Sequence, residues 1–122
     1  MKTVYIAGPI SLGGTLTESE IQNNVQRFGV AELWLKLLGY STINPINNYG
    51  RGNWIACMRA DIKQMMDCQA IYLLRGWEAS RGSRVEFWLA QQLDFEVMFE
   101  ASALGELLGE VGMKAGEEEE EI

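Results

Sequence analysis

The sequence predicts one small α/β domain, a flavodoxin- or Rossmann-like three-layer arrangement with a parallel sheet of roughly four to five strands between helices. Two observations carry this. Short β-branched and aromatic runs alternate with longer segments of helical periodicity, giving the order β-α-β-α-β-α-β-α. The length, 122 residues, suits a single core and is too short for two.

Residues 3–7 (TVYIA) read as a buried strand stopped by Gly8-Pro9. A glycine-containing loop follows. Thr17-x-x-Glu20 has the spacing of a capping box, and Ile21, Val25, Phe28, Ala31, Leu35 and Leu38 then recur at helical spacing up to Gly39. Residues 40–44 (YSTIN) read as a second strand, and 45–52 (PINNYGRG) are turn formers. Asn53 suits the cap of a helix running to about Asp67. Residues 70–74 (AIYLL) give a third strand and 76–82 a loop. A helix from about Ser83 to Gln92 follows, with a fourth strand at 95–99 (FEVMF). A short helix is expected over 102–111. The domain is expected to span 1–112, with 113–122 as a disordered acidic tail. In such a sheet ligands bind beyond the carboxyl ends of the strands, which singles out the loops at 8–19, 45–52 and 75–82.

The net charge is −7, with a run of acids from Glu117 to Glu121. Little counterion release is available to such a chain, so a nucleic-acid polymer is not expected as a partner. No apolar run has the length of a membrane span and no signal-peptide pattern opens the chain, so the cytoplasm is the expected location. Cys57 and Cys68 lie about 16 Å apart along one predicted helix, too far for a disulfide. The chain has no histidine. Histidine-based triads and zinc sites are thereby excluded, and acid–base work falls to carboxylates, tyrosines or lysines. Neither a metal nor a cofactor is expected.

Two carboxylates stand where apolar residues belong. On the second helix, Trp54, Met58, Ile62 and Met65 form an apolar stripe, and Asp61 falls inside it, about 20° from Trp54. On the third, Glu86 falls within an arc containing Leu89, Ala90 and Leu93. A carboxylate taken from water is costly unless paired, and such placements gather at functional sites. Each alone is also compatible with a position at the rim of its face.

The segments Tyr5-Ile6-Ala7-Gly8-Pro9-Ile10, Ala60-Asp61-Ile62 and Ser80-Arg81-Gly82-Ser83-Arg84-Val85-Glu86, in this order, resemble the nucleoside 2-deoxyribosyltransferase-like superfamily. The string from Cys68 to Glu86 is most similar to a DUF4406-like branch of small phage and bacterial proteins, with similarity to deoxynucleoside 5′-monophosphate N-glycosidases. The resemblance implies cleavage or transfer of the N-glycosidic bond of a 2′-deoxynucleoside or its 5′-monophosphate. It implies Glu86 as the nucleophile at C1′, Tyr5 as the hydroxyl holding that carboxylate, and Asp61 as the group that helps protonate the departing base. It places Gly8, Pro9 and Ile10 beside the sugar-phosphate, and Ser80 with Gly82 on the phosphate side. Arg75, Arg81 and Arg84 stand near enough in sequence to favour a phosphate. The pattern departs at Gln69, where the branch has aspartate, and at Arg75, where it has proline. A non-catalytic module that sequesters a nucleotide is the alternative from another class.

Trp77, just before Ser80, is expected either to stack on a base or to wall the pocket, and Trp54 to belong to the core. Trp88 falls opposite Glu86 on its helix, on a face that suits a subunit interface, so a homo-oligomer is expected.

Overall fold

The structure is a computed structural model and describes residues 2–101. Strands β1 (Thr3–Ala7), β2 (Ser41–Ile43), β3 (Ala70–Leu73) and β4 (Glu96–Phe99) alternate with helices α1 (Glu18–Leu37), α2 (Trp54–Met65) and α3 (Arg81–Gln92). The strands form an all-parallel sheet in the order β2-β1-β3-β4. The expected helix at 102–111 and the acidic tail lie outside the described residues. No helix among the described residues is long and apolar enough to cross a membrane.

The alternation of β1 divides the core. Val4 and Ile6 pack with Phe28, Ala31 and Leu35 of α1, and with Ala70 and Leu74. Tyr5 and Ala7 point the other way, into a cluster with Met65, Ile71, Leu73 and Ala90 beneath α2 and α3. One helix thus covers one face and two cover the other. Side chains along a strand alternate faces, so this register decides which β1 residues reach the α2–α3 side. Tyr5 pairs with Ile43 on one side and Ile71 on the other.

The helix starts follow local chemistry. Thr17 and Glu20 make the reciprocal capping box expected of them, at 3.1 and 2.8 Å. Asn53 caps α2 by accepting from the Ala56 amide at 2.8 Å. The third helix begins two residues before the expected Ser83, because Ser80 is its cap, accepting from the Ser83 amide at 3.2 Å. Residues 45–48 are not only a turn: Pro45–Asn48 wind into a 3₁₀ turn, entered through an Asn44 side chain that accepts from the Ile46 amide.

Apolar positions at helix ends differ from expectation, among them the C-cap Leu38 of α1, which is exposed. Trp54 is 39% exposed rather than core. A helical wheel gives direction and not depth, and Trp54, at the start of α2, lines an open cleft. Leu93 is exposed because it is the C-cap residue of α3, where the helical direction is already lost.

Candidate active site

All strands run in parallel, so the exits of β1, β2 and β3 gather at one edge. The chain leaves β1 at Gly8 against the start of the β3 exit. A Cβ on Gly8 would stand 2.8 Å from both Cβ and Cδ1 of Leu74, so only glycine fits there. The loop then turns through Leu12, Gly13 and Gly14, all with positive φ, and the Ser11 carbonyl accepts from the Gly14, Thr15 and Leu16 amides. Leu12 at φ 49 is a non-glycine residue in the left-handed region, a local strain of the kind that concentrates at functional loops.

Between these exits lies a cleft of about 750 Å³, within the usual range for small-molecule sites. Its walls include Gly8, Ile10 and Gly13 from the first loop, Tyr49, Gly50 and Gly52 from the second, and Ser80, Arg81, Gly82 and Ser83 at the start of α3. Trp54, Cys57, Met58 and Asp61 line it from α2, and Glu86 lies at its inner end.

Glu86 is 4% exposed and lies one full turn into α3. The Tyr5 hydroxyl, itself fully buried, donates to Glu86 Oε2 at 2.8 Å. Asp61 contacts the same carboxyl through its side chain. Asn48 secures Asp61 from behind. Its Nδ2 donates to Asp61 Oδ1 at 2.8 Å and to Gln64 Oε1 at 2.9 Å. The Cys57 thiol donates to the Asn48 carbonyl at 3.1 Å, which ties the second loop to α2.

Burial holds the Glu86 carboxyl well above the usual carboxylate range, and the negative charge of Asp61 pushes the same way. The Tyr5 hydrogen bond opposes both. Burial also raises Asp61, against the hydrogen bonds from Asn48 and Glu86. Tyr5 is raised well above the ordinary phenol, first by burial and then by the charge of Glu86. Each of the two close carboxyls thus disfavours ionisation, Glu86 the more strongly.

One turn outward along α3, the Arg81 and Gly82 amides precede the first intrahelical bonds and carry the positive end of the helix dipole, while the Ser83 amide bonds the Ser80 side chain. Ser80 and Ser83 stand beside them, and the Arg81 guanidinium lies 3.8 Å above the Trp54 ring. A Cβ on Gly82 would meet Met58 Sδ at 2.9 Å, so this glycine lets α3 and α2 approach across the cleft. The cleft therefore has an anion-suited entrance and, at its inner end, a carboxyl pair of which Glu86 is buried and Asp61 half-buried. Among the described residues no group of three histidine, cysteine or acidic side chains is placed to hold a metal ion.

The structure brings Tyr5, Gly8, Ile10, Asp61, Ser80, Gly82 and Glu86 together at this cleft or directly beneath it. Two expected residues stand elsewhere. Pro9 is buried and faces Gly76. Trp77 does not line the cleft: it packs against Phe87 at 4.7 Å and Phe99 at 6.3 Å, on the core cluster around Tyr5. Arg75 and Arg84 are spent on carbonyls of Ala101 and Glu78, leaving Arg81 at the cleft. Sequence reasoning missed Ser83 and Asn48. The helical wheel could have found Ser83, three residues before Glu86 on one face. Asn48 sits in an aperiodic turn and left no such signal.

No curated protein and no solved structure matches the chain. A family model described as a domain of unknown function, DUF4406, matches residues 2–99. A carboxyl pair at the inner end of an open cleft is what this small parallel sheet presents, and the chain that carries it belongs to the DUF4406 family.

Proposed function

We propose that this protein cleaves, or transfers to a second base, the N-glycosidic bond of 2′-deoxynucleosides or their 5′-monophosphates, with Glu86 as nucleophile. The observation that carries the reading is the buried Tyr5–Glu86 hydrogen bond, with Asp61 against the same carboxyl at the inner end of an open cleft. A purely structural domain gains nothing from that arrangement.

One proton shared by the pair suits the reaction. The reactive tautomer is the one in which the proton has moved from Glu86 to Asp61, which leaves Glu86 a carboxylate steadied by Tyr5. Its oxygen bonds to C1′ while the C1′–N bond breaks, and the bond's electron pair leaves with the base, which takes the proton from Asp61. Water, deprotonated by Asp61, then attacks C1′ and frees Glu86; a second base in place of water completes a transfer. The steps parallel those of retaining glycosidases. The α3 amides, Ser80, Ser83 and Arg81 suit a 5′-phosphate, and the Trp54 ring with its guanidinium suits a planar base or its ribose edge.

The test is chromatography of the four deoxynucleoside monophosphates and their nucleosides after incubation with wild type and Glu86→Gln, with and without an added free base. Free base formed by wild type alone supports the reading, and an exchanged base makes it a transfer. A nucleotide retained without any release would replace it with a sequestering module.

A further inference from the structure

Three residues on one face of α2 converge on a single residue of the second loop. Taking Cys57 as zero, Asp61 lies at about 40° and Gln64 at about −20°. Each of them meets Asn48, the last residue of the 3₁₀ turn, which is 7% exposed. The Cys57 thiol donates to the Asn48 backbone carbonyl at 3.1 Å. The Asn48 side-chain nitrogen donates to Asp61 Oδ1 at 2.8 Å and to Gln64 Oε1 at 2.9 Å.

A primary amide can turn either its nitrogen or its oxygen to a neighbour, and only the nitrogen has two protons to give. Here two acceptors stand three residues apart on α2. With Gln64 Oε1 in place, turning the Asn48 amide over would set oxygen against oxygen, so Gln64 keeps the nitrogen towards Asp61. An N–H aimed at a carboxyl oxygen favours the anion and leaves that oxygen the poorer base. The proton of an Asp61 carboxyl therefore belongs on Oδ2. Glu86 follows the same pattern. Its Oε2 accepts from the Tyr5 hydroxyl at 2.8 Å, which leaves Oε1 to carry its proton. Asn48 and Tyr5 come from different elements, yet each marks one oxygen of one carboxyl as an acceptor. Glu86 from α3 and Tyr5 from β1 are the titratable side chains that act on or feel Asp61 across the site.

We infer that Gln64 is a positioning residue: by fixing the Asn48 amide it confines proton movement within the carboxyl pair to Glu86 Oε1 and Asp61 Oδ2. Asp61 Oδ2 is then the oxygen that hands its proton to the departing base and later takes one from water. That catalytic consequence rests on the N-glycosidic reading; the orientation of the amide does not. Gln64 is itself exposed and does not line the cleft, so it acts only through Asn48.

Nuclear magnetic resonance of the full chain tests this without any substrate. The chain has three aspartates, Asp61, Asp67 and Asp94, so labelling with 13C-aspartate gives one carboxyl signal for each. Gln64→Met removes the acceptor at an exposed position, and circular dichroism verifies that the variant folds. The acid constant of Asp61 is expected to fall about three- to tenfold in Gln64→Met, as its donor loosens, while Asp67 and Asp94 keep theirs. In wild type both side-chain amide protons of Asn48 are expected to exchange slowly with solvent. Gln64→Glu, which keeps an acceptor, should leave both slow, and Gln64→Met should speed the exchange of one. Asn48 amide protons that exchange as fast as an exposed amide in wild type, or an Asp61 titration unmoved by Gln64→Met, would overturn the proposal. If base release is found, Gln64→Met should also move the acid limb of its pH–rate profile to higher pH. Absence of base release from wild type would sink the N-glycosidic reading and leave both resonance measurements to decide the orientation.

Discussion

The Tyr5 hydroxyl and the Glu86 carboxylate meet at 2.8 Å across 81 positions of sequence, one from the central strand and one from the last described helix. Neither side chain has appreciable contact with water. A hydrogen bond to a charged group in such surroundings is among the stronger polar contacts a protein makes. Here it is also the one influence on Glu86 that favours the anion.

Tyr5→Phe removes that donor with little change of shape. At about 1.5–3 kcal/mol for a hydrogen bond to a charged group, base release should slow by about 10–100-fold. The carboxyl should also become harder to ionise, so the acid limb of the pH–rate profile should move to higher pH. Steady-state rates from pH 4 to 8 check both; an unmoved limb would mean that Tyr5 acts only by packing.

Glu86→Gln should stabilise the protein near neutral pH. A carboxyl whose folded pKa is raised binds its proton more tightly folded than unfolded. Its contribution is complete below the ordinary value of 4.5 and is lost as pH rises towards the folded value. The amide avoids this loss and keeps an acceptor for Tyr5. Thermal melts of wild type and variant should coincide near pH 4 and separate as pH rises, by about 4–8 °C for each kcal/mol. A gap that narrows with rising pH would contradict the assignment.

Asn48→Ala leaves Asp61 Oδ1 and Gln64 Oε1 without their shared donor. The expected cost is about 1–3 kcal/mol of stability by denaturant titration. Loss of this bond should also raise Asp61 further, because Asn48 is the main influence lowering it. Asn48→Asp, which adds a third carboxylate, should be most destabilised at neutral pH and should recover part of its stability near pH 4.

Arg81→Ala separates phosphate recognition from chemistry. The apparent KM for a 5′-monophosphate should rise by roughly 10–100-fold, from the loss of one charge-assisted contact. The constants for the free nucleoside should change little. Equal effects on both would mean that Arg81 acts on the base, or through its stacking on Trp54, and not on the phosphate.

Gly8→Ala forces a methyl group into the Leu74 side chain near its backbone, where there is little freedom to yield. A loss of about 1–3 kcal/mol is expected. Gly82→Ala meets the sulfur of the more flexible Met58, so it should cost less stability and narrow the cleft instead. Paired melts and ligand titrations distinguish the two.

Much of this was legible in the sequence because periodicity reports burial. The strands, the Thr17–Glu20 box and the Asn53 cap follow from local chemistry, and Glu86 betrayed itself as a charge on an apolar arc. Trp54 misled because a wheel cannot say that the start of a helix faces an open cleft. Trp77 misled because nearness to Ser80 in sequence suggested nearness in space, whereas the turn at Trp77–Ala79 aims its ring at Phe87 and Phe99. Asn48 was hidden for a different reason. Its role exists only through the contact of the second loop with α2, and no local pattern encodes that.

Tyr5 is held in the interior of the sheet, laddered to β2 on one side and β3 on the other. The amides around it should therefore be among the last to exchange with solvent, opening only when the whole domain does. The mouth of the cleft is built instead from short loops rich in glycine, whose opening costs far less. Ligand can then come and go through local breathing while the group that readies Glu86 stays fixed to the global stability of the domain. A substitution that weakens the fold anywhere should accordingly reduce the number of working molecules before it degrades the chemistry of any one of them.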